Sequence, residues 1–379
     1  MVKALLLYTS RFCFSDDALM LSFAHGLLIS FTLFFALATA SQAESLTNLS
    51  RQLTIDPSQT SVSGLSSGAY MAVQLQVINS KSIMGAGIIA GGPYRCAAGK
   101  YKAAWFDPQG MYAMLNVCMH TNPVTWLPRP NPDVAFSIRE TERLAAEQLI
   151  DPPSYLAAQK VWLFSGGKDS LIPRSVMDSL ASYYQHFMPK ANISYVKNPN
   201  ASHGMITENY GGSCKLSLPP FINDCDFDAA GALLQQIYGK LKPKTTAQAD
   251  HLYTIDQQVF FDPADESSSL HQKAHLYIPT DCKNGKLCKL HIALHGCLQS
   301  EDFVGDSFYA RTGYNEWAES NNIVVLYPQA KAWLGGYSLN AEHNPQGCWD
   351  WWGYSGEHYA DKQGKQIRAI NTMLKVLIK

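Results

Sequence analysis

The residues that could perform nucleophilic catalysis begin with Gly64-Leu65-Ser66-Ser67-Gly68, which fits the pattern G-x-S-x-G. This pattern is typical of a sharp turn between a strand and a helix that exposes its middle serine. A serine attacks an acyl carbon when a base accepts its proton, a carboxylate orients that base and N–H groups stabilise the oxyanion. The pentapeptide alone is weak evidence, because serine and glycine are common residues.

A carboxylate and a histidine follow this serine in the required order. Asp169 comes soon after the short apolar stretch 161–164, and His203 comes soon after the stretch 193–196. In enzymes with such a serine turn, the chain order is serine, acid, histidine. We therefore predict Ser66 as the nucleophile, Asp169 as the orienting acid and His203 as the base.

Each of these assignments has a simpler alternative. Ser63 and Ser67 are close rivals of Ser66, and His203 could be a surface-loop histidine. Asp169 could instead cap a helix, a role that contributes about 1 kcal/mol. Other acidic residues compete with it, namely Asp151, Asp178 and Asp226.

The elements that must position these residues alternate between helix and strand patterns. Apolar residues recur with helical spacing in segments 69–79, 229–241 and 367–377, and apolar runs predict strands at 84–90, 161–164, 193–196, 274–278, 290–294 and 323–327. This alternation predicts an α/β fold. The polar segment 242–250 is the best linker candidate. We nevertheless expect one domain, because neither half supplies both a full sheet and a full site.

The oxyanion loop lies at an unusual place in the chain. α/β-Hydrolases normally supply one oxyanion N–H from a His-Gly loop before the serine turn, but residues 43–64 contain no such loop. The apolar run 290–294 leads into His295-Gly296-Cys297 instead, and the strand pattern 323–327 follows. This order predicts a circular permutation in which segment 242–250 joins the former ends. We expect the ring of His295 to brace its turn rather than act as a second base.

These features together resemble one group of secreted enzymes. The segment 64–70, the loop of Asp169, His203, the late His295-Gly296-Cys297 and the segment Cys348-Trp349-Asp350-Trp351-Trp352 are similar to those of the single-domain, circularly permuted poly(3-hydroxybutyrate) depolymerases. The resemblance covers essentially the whole mature chain. It implies an α/β-hydrolase fold with a mostly parallel central sheet flanked by helices. It also implies hydrolysis of the polyester or its oligomers through an acyl-enzyme, without a cofactor.

The resemblance further implies an oxyanion hole and a tryptophan-lined cleft. The backbone N–H groups of Ser67 and Cys297 would form the oxyanion hole. The candidate substrate-binding residues are Trp333, Tyr337, Trp349, Trp351 and Trp352. If residues 349–352 form a strand, Trp349 and Trp351 share a face and Trp352 points to the opposite one. The alternative is that these tryptophans belong to the core.

The composition limits the other classes of function. The chain has 379 residues, of which 46% are hydrophobic and 16% charged, and its net charge of −1 gives no reason to expect nucleic acid as a partner. No Cys/His cluster with zinc spacing occurs, so we expect no metal. Two alternatives stay open: an esterase for feruloyl or acetyl groups of polysaccharide, and a non-catalytic binding protein on a hydrolase frame.

The N-terminus predicts a signal peptide over residues 1–43. The apolar run 27–38 has signal-peptide length, and Ala43 ends a suitable cleavage site. Met20 is an alternative start, and an uncleaved membrane anchor is an alternative reading. Export predicts an extracellular or periplasmic location and no membrane association after cleavage. We also expect a monomer with a single catalytic domain over 44–379.

The cysteine count agrees with export. Of nine cysteines, Cys13 lies in the leader, which leaves an even set of eight in the mature chain. An even number in an exported protein suggests four disulfides. Pairing of nearest neighbours is one of many possible patterns, and it would join Cys96 to Cys118, Cys214 to Cys225, Cys282 to Cys288, and Cys297 to Cys348.

Overall fold

The computed structural model describes residues 43–98, 112–121, 128–334 and 343–379. The described residues belong to one compact unit, Ser41–Lys379. Residues 1–42 of the predicted signal peptide and the candidate Tyr337 lie outside the described residues. Among the helices of the described part, none has the length and apolar character needed to cross a membrane.

Eleven strands form two sheets. In chain order the strands are β1 Thr54–Leu65, β2 Ile83–Ile89, β3 Lys160–Gly166, β4 Ile193–Asn198, β5 Met205–Thr207, β6 Gly212–Ser213, β7 Ile222–Asp224, β8 Leu252–Asp256, β9 Lys273–Tyr277, β10 Leu287–Leu294 and β11 Ile323–Tyr327. The main sheet has eight strands in the order β4-β3-β2-β1-β10-β11-β9-β8, and a small sheet has the order β5-β7-β6.

Ten α-helices accompany the strands. They are α1 Leu46–Ser50, α2 Ser67–Ile78, α3 Val134–Ala146, α4 Arg174–Phe187, α5 Ala229–Tyr238, α6 Thr280–Lys283, α7 Glu301–Val304, α8 Ser307–Arg311, α9 Tyr314–Asn321 and α10 Lys365–Ile378. Helices α2, α4, α5 and α10 pack on strands of the main sheet. Every residue of α2 is buried, which explains why this helix is apolar on most of its surface.

The main sheet is mostly parallel, as the sequence predicts. Six strands, from β4 to β11 in the sheet order, pair in parallel, and only β9 runs antiparallel to its neighbours β11 and β8. A parallel sheet is covered on both faces, so its strands read as continuous apolar runs. The strand β11, for example, is buried at all of its residues. The α/β fold with a mostly parallel sheet flanked by helices is therefore confirmed.

The pairing of the two central strands brings distant parts of the chain together. β1 lies in parallel between β2 and β10, and Gly64 at the end of β1 is in register with Leu294 at the end of β10. The carboxyl ends of parallel strands meet at one edge of a sheet, which is where open α/β sheets place their sites. Residues 66–68 and 295–297 are therefore neighbours, although more than half of the chain separates them.

Four disulfides cross-link the described residues. They join Cys96 to Cys118, Cys214 to Cys225, Cys282 to Cys288, and Cys297 to Cys348. These pairs coincide with the nearest-neighbour pattern. The last of them connects the loop after β10 to the tryptophan-rich segment 348–352.

Candidate active site

Ser66 occupies the sharp turn between β1 and α2. Its backbone has φ 57° and ψ −123°, a conformation that a residue with a side chain adopts only under strain. A Cβ on Gly64 would lie 2.1 Å from the carbonyl oxygen of Gly68, and a Cβ on Gly68 would lie 2.3 Å from that of His295. Neither position has room for a side chain, and this explains both glycines of the G-x-S-x-G pattern.

The two rival serines have other surroundings. Ser63 is buried inside the sheet, where its hydroxyl contacts His291 Nε2 and the hydroxyl of Tyr314, both at 2.7 Å. Ser67 begins α2 and its side chain is buried. Ser66 lines a mainly apolar cavity at this edge of the sheet. Of the three serines, Ser66 therefore has the position that suits attack on a bound molecule.

Asp169 and His203 are in direct contact. Asp169 follows β3 and His203 follows β4, and the Nδ1–H of His203 donates to Asp169 Oδ2 over 2.8 Å. Both side chains are buried. The second oxygen, Asp169 Oδ1, accepts the backbone N–H groups of Leu171 and Ile172, each at 2.9 Å. The carboxylate thus stabilises a turn and orients the histidine at the same time.

The competing roles and residues fit less well. Asp169 is not a helix cap, because the next helix, α4, begins only at Arg174 with Pro173 before it. Asp151 pairs with Lys362 and Asp178 with Lys197, and neither carboxylate bonds to His203 in the described part of the chain. Asp169 is the acid that the fold brings to His203.

The orientation of His203 leaves one ring nitrogen available. Its Nδ1–H is engaged by Asp169, so the neutral ring presents an Nε2 lone pair that can accept a proton. The backbone N–H of His203 donates to the hydroxyl of Ser217 over 3.0 Å, which holds the loop. His203 and Ser66 line the same cavity.

The loop after β10 lies against the serine turn. A Cβ on Gly296 would lie 3.3 Å from the Cβ of Ser66. The ring of His295 bonds at both nitrogens: Nδ1–H donates to the carbonyl of Gly296 over 2.7 Å, and Nε2 accepts the N–H of Ala330 over 3.1 Å. Burial lowers the pKa of His295 to about 4, so the ring is neutral at ordinary pH. Both ring nitrogens are thus occupied by backbone groups, which agrees with the expected bracing role.

The two candidates for the oxyanion hole are the backbone N–H groups of Ser67 and Cys297. Ser67 and Cys297 both line the cavity. Within the described part of the chain, neither of their N–H groups donates to a protein acceptor. The N–H of Ser67 also lies at the first turn of α2, where the helix dipole favours negative charge. Two free donors beside a nucleophile are what an oxyanion requires.

Gln299 is a site residue that the sequence analysis missed. Its Oε1 accepts the N–H of Gly296 over 2.7 Å, and its Nε2 donates to the carbonyls of Pro220 (2.9 Å) and Phe221 (2.8 Å). This buried amide joins the loop after β10 to the segment before β7. No pattern in the sequence distinguishes it from other glutamines, so it could be recognised only in the folded protein.

The cavity has a volume of about 580 Å³, and its walls are mainly apolar. Tyr70 from α2 stacks on Trp351 with ring centroids 4.0 Å apart. The other apolar walls come from Met114, Leu115, Met119, Leu171, Ile172, Phe221, Leu298 and Trp352. Among the described residues, no three His, Cys, Asp or Glu side chains come together as metal ligands.

The tryptophan-rich segment differs from its predicted form. Residues 349–352 are not a strand, because the buried Asp350 carboxylate accepts the N–H groups of residues 352–355 and folds the segment into a turn. The proposed alternation of faces is therefore wrong. Trp351 and Trp352 line the cavity.

Two other candidates have no place in the described cavity wall. Trp349 is fully buried, with its ring centroid 5.3 Å from that of His295. Trp333 exchanges backbone hydrogen bonds with Asn344 and packs near Tyr354, with ring centroids 6.4 Å apart. In this structure Trp349 supports the loop after β10, and Trp333 supports the segment that carries Asn344.

Comparison with known proteins gives two similar curated relatives, while no family model matches the chain. A poly(3-hydroxybutyrate) depolymerase of Delftia acidovorans is 39% identical over 327 residues, which are 85% of this chain and 60% of the relative. A polyhydroxybutyrate depolymerase of Talaromyces funiculosus is 34% identical over 337 residues, which are 86% of this chain and 91% of the relative. The chain thus spans less than two thirds of the Delftia protein and about nine tenths of the Talaromyces protein.

Two solved structures are similar in fold as well as in sequence. The crystal structure of PHB depolymerase from Penicillium funiculosum superposes with a TM-score of 0.73 at 33% identity, covering 86% of this chain and 97% of that one. A PHB depolymerase with a serine-to-alanine substitution, in complex with an R3HB trimer, matches with the same TM-score of 0.73 and the same identity of 33%. On this identity and coverage, the chain belongs to the poly(3-hydroxybutyrate) depolymerase family.

Proposed function

We propose that the protein is a secreted serine esterase that hydrolyses the ester bonds of poly(3-hydroxybutyrate) or its oligomers. The observation that carries this proposal is the contact between Asp169 and His203 at a cavity that Ser66 also lines. The names of the relatives and the R3HB trimer bound to a similar structure support the substrate class.

The chemistry proceeds in two acyl-transfer steps. Ser66 Oγ attacks the ester carbonyl carbon while His203 Nε2 takes the hydroxyl proton, and Asp169 stabilises the imidazolium that forms. The N–H groups of Ser67 and Cys297 hold the negative oxygen of the tetrahedral intermediate. The C–O bond to the alcohol half of the chain then breaks, and that alcohol receives the proton from His203. Water attacks the acyl-Ser66 by the same route and releases a carboxylic acid.

The character of the cavity supports an uncharged polyester as the substrate. Each repeat of the polymer carries a methyl branch and an ester but no charge. Apolar walls from Tyr70, Trp351 and Trp352 match such a chain, and the few polar groups can orient its carbonyls. We assign substrate contact to Trp351 and Trp352 on this basis.

The proposed organisation and location follow from the leader and the fold. We propose that residues 1–43 are removed on export, that 44–379 form one catalytic domain and that the mature enzyme is a monomer free of membranes. Four disulfides support an oxidising compartment. The permutation junction at 242–250 is supported by the sheet, since the strands after it, β8 to β11, occupy the half of the sheet beyond β1.

The test is release of 3-hydroxybutyrate, as monomer or short oligomer, from amorphous polymer and from a soluble trimer. Wild type is compared with Ser66→Ala, which should lower turnover by on the order of 10⁶. Ser182→Ala, an exposed serine on α4, is the matched control and should leave turnover unchanged.

Each outcome leads to a different conclusion. Hydrolysis of polymer that is lost in Ser66→Ala supports the depolymerase. Hydrolysis of the trimer alone makes the protein an oligomer hydrolase. Failure on both, with a fluorophosphonate still reacting at Ser66, leaves a serine hydrolase whose substrate is sought among feruloyl and acetyl esters. Failure of the fluorophosphonate as well would favour a binding protein.

A further inference from the structure

The orientation of one peptide plane decides whether Cys297 can serve the oxyanion. A planar trans peptide points its C=O and its N–H in opposite directions. The single cis bond among the described residues is Pro219–Pro220, so the bond between Gly296 and Cys297 is trans. Whatever holds the carbonyl of Gly296 therefore also sets the direction of the N–H of Cys297.

The group that holds this carbonyl is the imidazole of His295. Its Nδ1–H donates to the Gly296 oxygen over 2.7 Å, and Cys297, whose N–H belongs to the same peptide plane, lines the cavity. We propose that His295 is a positioning residue, which keeps the N–H of Cys297 directed at the oxyanion by holding the carbonyl of Gly296. The inference rests on the proposed esterase function.

The ring can hold the carbonyl only in one tautomer, and its surroundings select that tautomer. The N–H of Ala330 donates to Nε2 over 3.1 Å, so Nε2 must be unprotonated and the proton must reside on Nδ1. The ring is fully buried between Trp349 and Phe308, with centroids at 5.3 and 6.1 Å. The ring therefore lacks the space to rotate, and it lacks contact with solvent that could move the proton from one ring nitrogen to the other.

The loop needs such a restraint because its glycine cannot supply one. Glycine fits best at residue 296, since a Cβ there would lie 3.3 Å from the Cβ of Ser66 and 2.9 Å from Gln299 Oε1, and that side chain would have to shift. Glycine rotates more freely than any other residue, so peptide planes beside it flip easily. The close approach to Ser66 thus leaves a glycine whose backbone can rotate freely. Side-chain hydrogen bonds restrict that rotation.

The planes on either side are fixed by other groups. Gln299 Oε1 accepts the N–H of Gly296 over 2.7 Å and so fixes the preceding plane. The N–H of Leu298 donates to the carbonyl of Gln346 over 2.7 Å and fixes the following one. Three consecutive planes are held by three different partners, and only the middle plane, held by His295, carries the oxyanion donor.

Two substitutions of His295 separate positioning from packing. The amide of asparagine reaches the place of Nδ1, and the amide of glutamine reaches the place of Nε2. His295→Asn can therefore still donate to Gly296, whereas His295→Gln can still accept from Ala330 but leaves the Gly296 carbonyl unheld. Both variants are assayed for hydrolysis of the soluble trimer, with kcat and KM measured separately.

We expect His295→Gln to lower kcat by about 10²–10³ with KM within about twofold, as for loss of an oxyanion donor that acts in the transition state. His295→Asn should stay within about tenfold of wild-type kcat. If His295 only fills space, kcat should fall more in His295→Asn than in His295→Gln, because glutamine is nearer to histidine in volume. Equal kcat values for the two variants, or a milder effect of glutamine, would overturn the proposal.

A measurement on the unaltered enzyme covers the case in which neither variant folds. Nitrogen NMR of histidine-labelled protein reports which ring nitrogen of His295 carries the proton. A proton on Nδ1 is required, and a proton on Nε2 would refute the proposal. If the wild type fails to cleave the trimer, the result counts against the proposed function instead. If the wild type is active but kcat is not lower in His295→Gln than in His295→Asn, the result counts against the role of His295 alone.

Discussion

The serine turn at residues 64–68 and the oxyanion loop at residues 295–299 lie side by side at the ends of β1 and β10, yet they are held by different means. Backbone atoms hold the turn: Gly64 and Gly68 each contact a carbonyl oxygen where a Cβ would overlap it. Side chains and a disulfide hold the loop, through His295, Gln299 and Cys297. Gly64 thus meets a residue of its own pentapeptide and Gly68 meets the neighbouring loop, whereas the loop depends on Ala330, Pro220 and Cys348 far along the chain.

The largest effect is expected where the two regions touch. Gly68→Ala places a Cβ 2.3 Å from the carbonyl oxygen of His295 and 2.4 Å from that of Leu294, and both are backbone atoms at the end of β10 or directly after it. We expect a loss of more than about 4 kcal/mol in the free energy of unfolding and no detectable trimer hydrolysis. Urea unfolding measures the loss. The control Gly212→Ala, whose Cβ would meet only Ile222 O at 4.0 Å, should be near wild type; a Gly68→Ala variant of equal stability would remove the steric account.

The next effect separates the two roles of Asp169. Asp169→Asn keeps an oxygen that accepts the N–H groups of Leu171 and Ile172, but its amide N–H₂ would face His203 Nδ1 and favour the wrong tautomer. We expect kcat to fall by about 10⁴, as for the equivalent change in serine hydrolases. The free energy of unfolding should change by less than about 1 kcal/mol. A stability loss as large as the kinetic loss would show that Asp169 mainly holds its turn.

The third effect concerns the disulfide of the oxyanion loop. Cys297–Cys348 closes a sequence separation of 51 residues, whereas Cys282–Cys288 closes only 6. In the chain-entropy account, replacing both cysteines by serine costs about 4 kcal/mol for the long bridge and about 2 kcal/mol for the short one. Urea unfolding of the two double variants gives both values. Equal losses would mean that loop closure is not what the longer bridge contributes.

The last effect is a pH dependence at two buried histidines, one in β10 and one in the loop that follows it. Burial lowers the pKa of His291, which contacts Ser61 and Ser63 of β1, to about 3, and that of His295 to about 4. The unfolded chain binds protons on these rings below about pH 6.5 and the folded chain does not. Stability is therefore complete above about pH 6.5 and decreases as the pH falls toward 4, by on the order of 3 kcal/mol for His295.

Unfolding in urea at pH 7.5 and pH 4.5 checks this dependence. His295→Asn should reduce the difference between the two pH values, because the variant has no ring to protonate. An undiminished difference would assign the acid sensitivity to His291 or to the carboxylates instead.

Much of the fold was predictable because its signals are local. The apolar runs of the parallel strands and the helical spacing in α5 and α10 each lie within one short segment. Deviations occur at boundaries: α2 begins at Ser67 rather than at 69, because its first turn consists of small residues that carry no apolar period. Ser66, Asp169 and His203 could likewise each be recognised from its own short segment, namely the serine turn or a loop soon after an apolar stretch.

The remainder of the site could not be predicted, since its partners are distant in sequence. Gln299 is one of many similar residues until the fold brings it to Gly296, Pro220 and Phe221. Segment 349–352 has the composition of a strand, but the buried Asp350 draws the following N–H groups into a turn. That turn selects Trp351 and Trp352 for the cavity and buries Trp349.

The sequence by itself determined the α/β class, the elbow around Ser66 and the family resemblance, because backbone sterics and apolar periodicity act over a few residues. Only the tertiary structure decided which tryptophans line the cavity and which groups orient the peptide of Cys297. Those choices depend on hydrogen bonds such as Ala330 to His295, which form only after β10 and β11 pair and bring their carboxyl ends together.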